Sequence, residues 1–493
     1  MKRILIIGAV LLAMGLGACT DDFLSQKNPN EPSVDQFWKT RDDALAAVYS
    51  MYAPLTYQYR YGFFEYGWGP ENWRGDDVIY ASTYAAFSKI ARFTNTPDIW
   101  EVAELYRNNY DIVNAANQCV GNIAKCEIPG AEVKQLVAEA KFMRGYAYFR
   151  LLRNFRYIPL YKESPKSKDD IYVPQAERSV VWAFIEEDLK EAIELLPLTR
   201  EGDEVGRATK AAAAGFLAYA YVYQQKYADA ETLLNRIIGG EFGAFDLLSV
   251  DNYNQNWDGT NEHNVESLFE IQMADVSPKG KTTNILQAEF LAWQEANAAP
   301  WLFNEVQKVK DIDGNVDQRY YKSMISPDLP FATPLGEYDK LSDFVSGCVL
   351  ILKHTTPSWE PSLRWENNFV LMRFADILLL QAEAINEQGR ADDARPFINR
   401  VRTRARIAEL PTGLTKTQMR EHIMHERAIE LCFEGRRWYD LVRWHEAGWF
   451  DIKTLLTEHG KPGAENFSNQ YLYYPIPEYE YETNPKLDRN KQW

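Results

Sequence analysis

Two shortages frame this chain. After residue 16 there is no run of eighteen uninterrupted apolar residues, so no later segment reads as a bilayer-spanning helix. Basic residues are outnumbered: 54 Lys and Arg against 70 Asp and Glu give a formal net charge of -16 over 493 residues. Sequence-independent nucleic-acid binding needs a basic face to neutralise phosphates, so no nucleic-acid partner is expected. Cysteine is scarce, with five residues and no CxxC spacing, which argues against a zinc ribbon or a thioredoxin-like motif. Cys119, Cys126, Cys348 and Cys432 read as buried free thiols. A Cys119–Cys126 disulfide stays open only if the chain bends between them, at Gly121. G-x-S-x-G, P-loop and G-x-G-x-x-G motifs are all missing.

Near-misses for metal binding fail on order. His422-Ile423-Met424-His425-Glu426 is neither H-E-x-x-H nor H-x-x-E-H and has no third ligand in view. Asp311-Ile312-Asp313-Gly314-Asn315 starts like a calcium loop. Its sixth position is Val316 rather than glycine and its twelfth is Lys322 rather than glutamate, so a polar turn is expected. The adjacent Asp76 and Asp77 alone do not make a glycosidase pair, because that chemistry needs two carboxyls at a defined separation. No metal, cofactor or catalytic residue is expected.

What is present begins at the N-terminus. Lys2 and Arg3 precede an uncharged apolar stretch from Ile4 to Leu16, which has the length of a signal-peptide core. Leu16-Gly17-Ala18-Cys19 follows and resembles a bacterial lipobox. That reading makes residues 1–18 a signal peptide and Cys19 the lipidated first residue, anchored in a membrane by two or more acyl chains. Thr20, Asp21 and Asp22 after the cysteine resemble a surface-export signal.

Apolar residues then recur at helical spacing. Helices are expected over 33–57 (capped by Ser33), 98–120, 131–155, 179–196 (capped by Ser179), 207–225, 226–238, 369–388, 392–406, 415–434 (capped by Thr415) and 437–447. Two hairpins share one pattern. Ala218, Tyr221, Ala230, Leu234 and Ile237 are matched at constant offset by Ala382, Ile385, Ala394, Ile398 and Val401. Small residues that admit close helix approach alternate with larger ones, as in tetratricopeptide repeats. Met143, Gly145, Tyr148 and Phe149 look like the first helix of another copy. The expected class is all-α, with tetratricopeptide-like hairpins as scaffold and long irregular aromatic-rich loops between them. Aromatics reach 14%, with 29 Tyr and 14 Trp. The loops at 57–96, 242–302 and 327–366 are rich in them, and long ordered loops tend to carry function.

The C-terminal third reads Glu426-Arg427-Ala428-Ile429-Glu430-Leu431, then Phe433-Glu434-Gly435-Arg436-Arg437-Trp438-Tyr439-Asp440-Leu441-Val442-Arg443-Trp444. Arg427 with Glu430, and Arg437 with Asp440, stand one turn apart and are expected to pair along the helix as part of a structural network. This segment resembles the SusD/RagB family of outer-membrane nutrient-binding lipoproteins. Arg373-Phe374-Ala375-Asp376-Ile377-Leu378-Leu379 with Ala382-Glu383-Ala384, Asn399-Arg400-Val401-Arg402-Thr403-Arg404-Ala405, Tyr474-Pro475-Ile476-Pro477 and Asn484-Pro485-Lys486-Leu487 resemble further family elements in family order. Asp22-Phe23-Leu24 and Phe37-Trp38 fit the pattern after the lipobox. Trp100, Tyr106 and Asn117 fit a family helix and are expected in the core, as are Trp438 and Trp444.

The resemblance implies a non-enzymatic lipoprotein on the outer membrane, facing outside. It would bind a glycan or related nutrient and deliver it to a SusC-like TonB-dependent transporter. It divides the mature chain into an N-terminal half, 19–240, and a C-terminal half, 241–493, forming one unit. Rival readings are a peptide- or protein-binding repeat lipoprotein and a surface glycosidase. A sugar presents a C–H face to an aromatic ring and hydroxyls to polar edges. Two loops have that mixture and supply the expected ligand residues: Trp73, Arg74, Asp77, Tyr80, Tyr84 and Asn95, with Asp76 among them, and Trp293, Asn297 and Trp301.

Overall fold

A computed structural model describes residues 37–56, 68–81, 84–275, 281–282, 284–325, 331–333, 336–338, 348–358 and 365–491. The leader, Cys19, the Asp22-Phe23-Leu24 motif and Ser33 lie outside them. Helices dominate: α1 (Arg41–Tyr52), α2 (Ala85–Ala91), α3 (Trp100–Asn122), α4 (Gly130–Asn154), α5 (Arg178–Leu195), α6 (Lys210–Tyr223) and α7 (Tyr227–Ile238) in the first half. The second half holds α8 (Pro300–Lys308), α9 (Phe374–Glu387), α10 (Ala391–Arg404), α11 (Lys416–Glu430), α12 (Arg437–Glu446) and α13 (Ile452–Glu458). Strands are short: β1 (Val78–Tyr80), β2 (Ser267–Ile271), β3 (Ala296–Ala298) and β4 (Phe369–Arg373), with two smaller ribbons at 274–282 and 331–338.

Helix starts follow capping chemistry. Thr40 and Asp43 form a reciprocal capping box, which sets the start of α1 at residue 41, and residues 33–36 of the expected helix lie outside the described residues. Thr415 and Gln418 do the same for α11, at the expected place. The expected serine cap of α5 does not form. Glu177 occupies the N-cap without a side-chain bond, and Ser179 lies inside the helix.

Packing runs in sequence from α3 through α4, α5 and α6 to α7. The hairpin α6–α7 then meets α9–α10 through α7 against α9, so the two sequence copies become spatial neighbours. The matched positions Ala218, Ala230, Leu234, Ile237, Ala382, Ala394, Ile398 and Val401 are all buried. Gly145 lets α4 close on α5, where an added Cβ would sit 3.1 Å from Leu189 Cγ. Tyr106, Asn117, Trp438 and Trp444 are core, as expected, and Trp100 is half-buried.

Residues 369–373 depart from expectation. They form β4, antiparallel to β2, rather than the first turn of a helix. All five are buried, and Phe-Val-Leu-Met-Arg has the continuous apolar run of a strand covered on both faces. α6 lies on this ribbon at Gly215, where a side chain would overlap Met372 Sδ.

The expected local ion pairs are also replaced. Arg427 reaches Asp440 and Asp376, both at 2.8 Å, and Arg437 reaches Asp76 at 2.6 Å. Glu430 receives Arg373 at 2.6 Å, Arg319 at 2.8 Å and Arg404. Arg373 also binds Glu434 and Glu266, each at 2.7 Å, and Lys353 joins at Glu434. Burial works against ionisation of Glu434, but Arg373 and Lys353 outweigh it and hold the carboxyl at about 2. Arg319, Arg373, Glu266 and Glu430 are all buried, so these bonds join β2, β4, α10 and α11 across the interior rather than decorating one helix. Cys119, Cys126, Cys348 and Cys432 are free thiols, so the open Cys119–Cys126 bond does not form. The Asp311 turn is polar as expected: its Oδ1 accepts from the backbone N–H of Asp313 and of Asn315.

Candidate functional site

The two aromatic loops, more than two hundred residues apart, meet as one antiparallel ribbon. β1 pairs with β3 in the register Val78↔Ala298, Ile79↔Asn297 and Tyr80↔Ala296. The pairing extends at both ends, where Ala81 N–H donates to Glu295 O and Ala299 N–H to Asp77 O. A third segment joins where Ala298 N–H donates to Val349 O at 2.9 Å.

Beneath the ribbon lies an aromatic cluster. Trp73 is 0% exposed and packs 4.1 Å from Phe87 and 5.3 Å from Tyr80 by ring centres. Tyr80 is 3% exposed, and its hydroxyl donates to Glu295 at 3.0 Å. These two rings support the platform instead of forming its surface. Arg74 is likewise interior: it lies 3.6 Å from the Tyr474 ring centre and donates to Asn154 at 3.2 Å. Asn95 and Asn297 are buried, and the Asn297 side-chain amide donates to Gln294 O at 2.9 Å. Trp73, Arg74, Asp76, Asp77, Tyr80, Asn95 and Asn297 are all buried side chains in this structure. An aromatic-rich chain fills its own interior first, and these side chains have structural tasks.

Two of the expected rings reach solvent. Tyr84 is 39% exposed, with its hydroxyl donating to Glu101 at 3.2 Å. Trp293 is 37% exposed. It follows a π-helical turn, Ala288–Ala292, a form often found at functional positions. Gln294 next to it adopts a left-handed conformation, φ 57°, which costs energy for a non-glycine residue. This turn aims Trp293 outward and replaces the irregular loop expected there. Trp301, half-buried on α8, donates from its indole N–H to Asp76 O at 2.5 Å. Its ring stacks on His459 at 3.9 Å between centres and 13° between planes.

Behind the ribbon sits a cluster of charges that no sequence spacing announced. Asp76 takes Arg437 through two bonds, 2.6 and 2.8 Å, and His459 Nδ1 lies 2.6 Å from its carboxylate. Burial opposes the ionisation of Asp76, but Arg437 and His459 hold it well below the usual range. Asp77 goes the other way: burial and the neighbouring Asp76 push it up to about 6, although Phe433 N–H donates to it at 3.0 Å. Lys461 donates to Trp73 O at 2.6 Å and Val78 O at 2.8 Å, fixing the entry to β1. Burial lowers it to about 8 despite both aspartates. Under Trp293, burial and then Glu295 raise the carboxyl of Glu289 well above its ordinary value. His459 and Lys461 carry no sequence signal, because each acts through contacts distant in sequence.

Among the described residues, no group of three or more His, Cys, Asp and Glu is placed to hold a metal ion, and no helix is long and apolar enough to cross a membrane. His425 of the near-miss motif faces Glu305 at 3.3 Å.

A stapled helical scaffold whose paired loops present aromatic surface defines the general class. Known proteins narrow it. Residues 250–493 match the SusD family profile, and residues 22–222 match a profile described as starch-binding associating with outer membrane. The chain belongs to the SusD family. A relative from Formosa agariphila, SusD-like protein P2, is 27% identical over 515 residues, covering 98% of this chain and 96% of its own. A crystal structure of a SusD superfamily protein from Bacteroides vulgatus superposes with a TM-score of 0.82 at 27% identity, covering 93% of this chain and 100% of that one. A laminarin-binding SusD-like protein shares the fold, with a TM-score of 0.75 at 23% identity, covering 91% and 99%.

Proposed function

We propose that this protein is a non-catalytic glycan-binding lipoprotein of the outer membrane that captures an oligosaccharide on the exposed rings of the ribbon. The observation that carries the reading is the β1–β3 pairing, which brings Tyr84 and Trp293 to one loop region with Trp301 on the adjoining helix. Half-exposed rings offer a flat face for sugar C–H groups, and the partly exposed Gln294 and Glu295 lie beside Trp293 in sequence for the hydroxyls. The family profile described as starch-binding associating with outer membrane supports both the ligand class and the location.

Cys19 supplies the lipid anchor in this reading, facing the protein outward. The helical scaffold meets a SusC-like TonB-dependent transporter, to which the bound glycan passes. Mass spectrometry of native protein tests the anchor through loss of residues 1–18 and added acyl mass. Affinity purification in mild detergent tests the partner through co-recovery of a large barrel. Glycan-array binding of the purified chain, with the oligosaccharide recovered uncut, tests the activity. An array with no binder, or hydrolysis of a bound glycan, overturns the corresponding part.

A further inference from the structure

A second concave region shares no residue with the ribbon. Where the C-terminal end of α1 meets the 198–209 connection and β2, two adjoining cavities of about 190 and 230 Å³ open to the surface. Val205, Gly206, Arg207 and Glu270 border both. Gly206 has φ +91°, and any Cβ on it would overlap the Gln272 side chain, so bare backbone lies against Gln272 and divides the chambers. Tyr49, Leu55, Ile271 and Gln272 wall the larger one. Leu198, Thr209, His263 and Phe269 wall the smaller.

The buried charges around this cleft are already matched. Glu139 accepts from Arg207 at 2.9 and 2.6 Å, from Arg200 at 2.7 Å and from the Tyr52 hydroxyl at 2.7 Å. Glu270 accepts from His263 N–H at 3.0 Å and from the Asn368 amide at 2.9 Å. A phosphate or carboxylate ligand thus meets no spare cation, and the exposed Asp203 on the wall of the larger chamber adds negative charge. The other polar side chains are neutral: Gln272, whose amide nitrogen meets His263, Thr56, whose hydroxyl donates to Ala53 O, Thr209, whose hydroxyl accepts from Ala212 N–H, and Thr199. The Gln272 carbonyl, the Thr56 lone pairs and the Thr209 O–H keep capacity for a further bond. Beside them stands Tyr49, 45% exposed, with the Arg207 guanidinium carbon 5.6 Å from its ring centre. Val205 and Leu198 add exposed apolar surface at the rim. An aromatic ring beside neutral hydrogen-bonding groups in a chamber of this size suits a polyol with one C–H face.

We propose that this cleft is a second carbohydrate site, which takes one neutral pyranose ring against Tyr49 and acts independently of the ribbon. The test is saturation-transfer NMR on the full mature chain with glucose, galactose, mannose and N-acetylglucosamine, and with glucuronate as the charged control. The parent and a Trp293→Ala variant should both transfer saturation to at least one neutral sugar and not to glucuronate. Tyr49→Ala, and separately Val205→Trp to fill the chamber, should weaken that sugar at least about tenfold while circular dichroism stays that of the parent. Both positions are exposed, so folding is preserved. The proposal is overturned if no neutral sugar responds, if the response survives both cleft variants, or if it vanishes in Trp293→Ala. The last outcome would place the sugar on the ribbon alone.

Discussion

The ionic interior around Glu430 and the charged cluster behind the β1–β3 ribbon use the same residue types and match them differently. Around Glu430 each carboxylate meets two or three cations at hydrogen-bond distance, and Glu434 stays ionised far below its ordinary range. Behind the ribbon, Asp77 Oδ1 and both oxygens of Glu289 have no hydrogen-bond partner among the described residues. Asp77 and Lys461 are displaced toward their neutral forms instead. The first region is over-determined and fixes the frame on which α9, α10 and α11 stand. The second keeps unmatched carboxylate oxygens, the kind of local cost that concentrates where a surface is shaped for a ligand.

The comparison can be broken first at its strong end. Arg373→Met removes the cation that Glu266, Glu430 and Glu434 share, leaves the buried network one positive charge short, and should destabilise the fold by about 3–5 kcal/mol. Denaturant unfolding measures this, and a loss near zero would show that the network is ornamental.

At the ribbon the effect of removing a charge should reverse. Asp77 is held near 6 in the folded chain against an ordinary value of 3.8. The folded state therefore binds this proton more tightly, and the contribution favours folding below pH 4 and is lost as pH rises through 6. Asp77→Asn should flatten stability between pH 4 and 6 and raise it at pH 7 by about 1–3 kcal/mol relative to the parent. Thermal unfolding across that range checks the sign. An unchanged slope would remove Asp77 as its source.

The smallest effect lies outside both regions. Thr415→Ala removes one capping bond of α11, which carries Glu426 and Glu430, and should cost about 1 kcal/mol with binding unaltered.

Much of the scaffold is readable in one dimension because its signals are local. The constant offset between Ala218 and Ala382, and between Leu234 and Ile398, marks two like hairpins before any coordinates. Thr415 with Gln418 marks a helix start. Phe369–Arg373 misleads because an apolar run joined to a helical stripe carries no mark of where the strand stops. Arg427 and Glu430 mislead because one-turn spacing permits a pair without requiring it, and burial offers Asp440 and Asp376 instead. The site is harder still. Trp73 and Trp293 sit in similar aromatic loops, yet one is fully buried and the other faces solvent. The pairing of Ile79 with Asn297 that separates them has no local signature. His459 and Lys461 join the site through a single turn after α13, from the far end of the chain.

Whether the proposed binding face is separable from the stapled frame is decided by Trp293→Ala. Calorimetric titration of parent and variant with an oligosaccharide found on the array should be run beside thermal unfolding of both. Affinity should fall at least about tenfold while stability changes by less than about 0.5 kcal/mol, as for an exposed side chain. A folded variant that binds as tightly as the parent would contradict the proposed binding face.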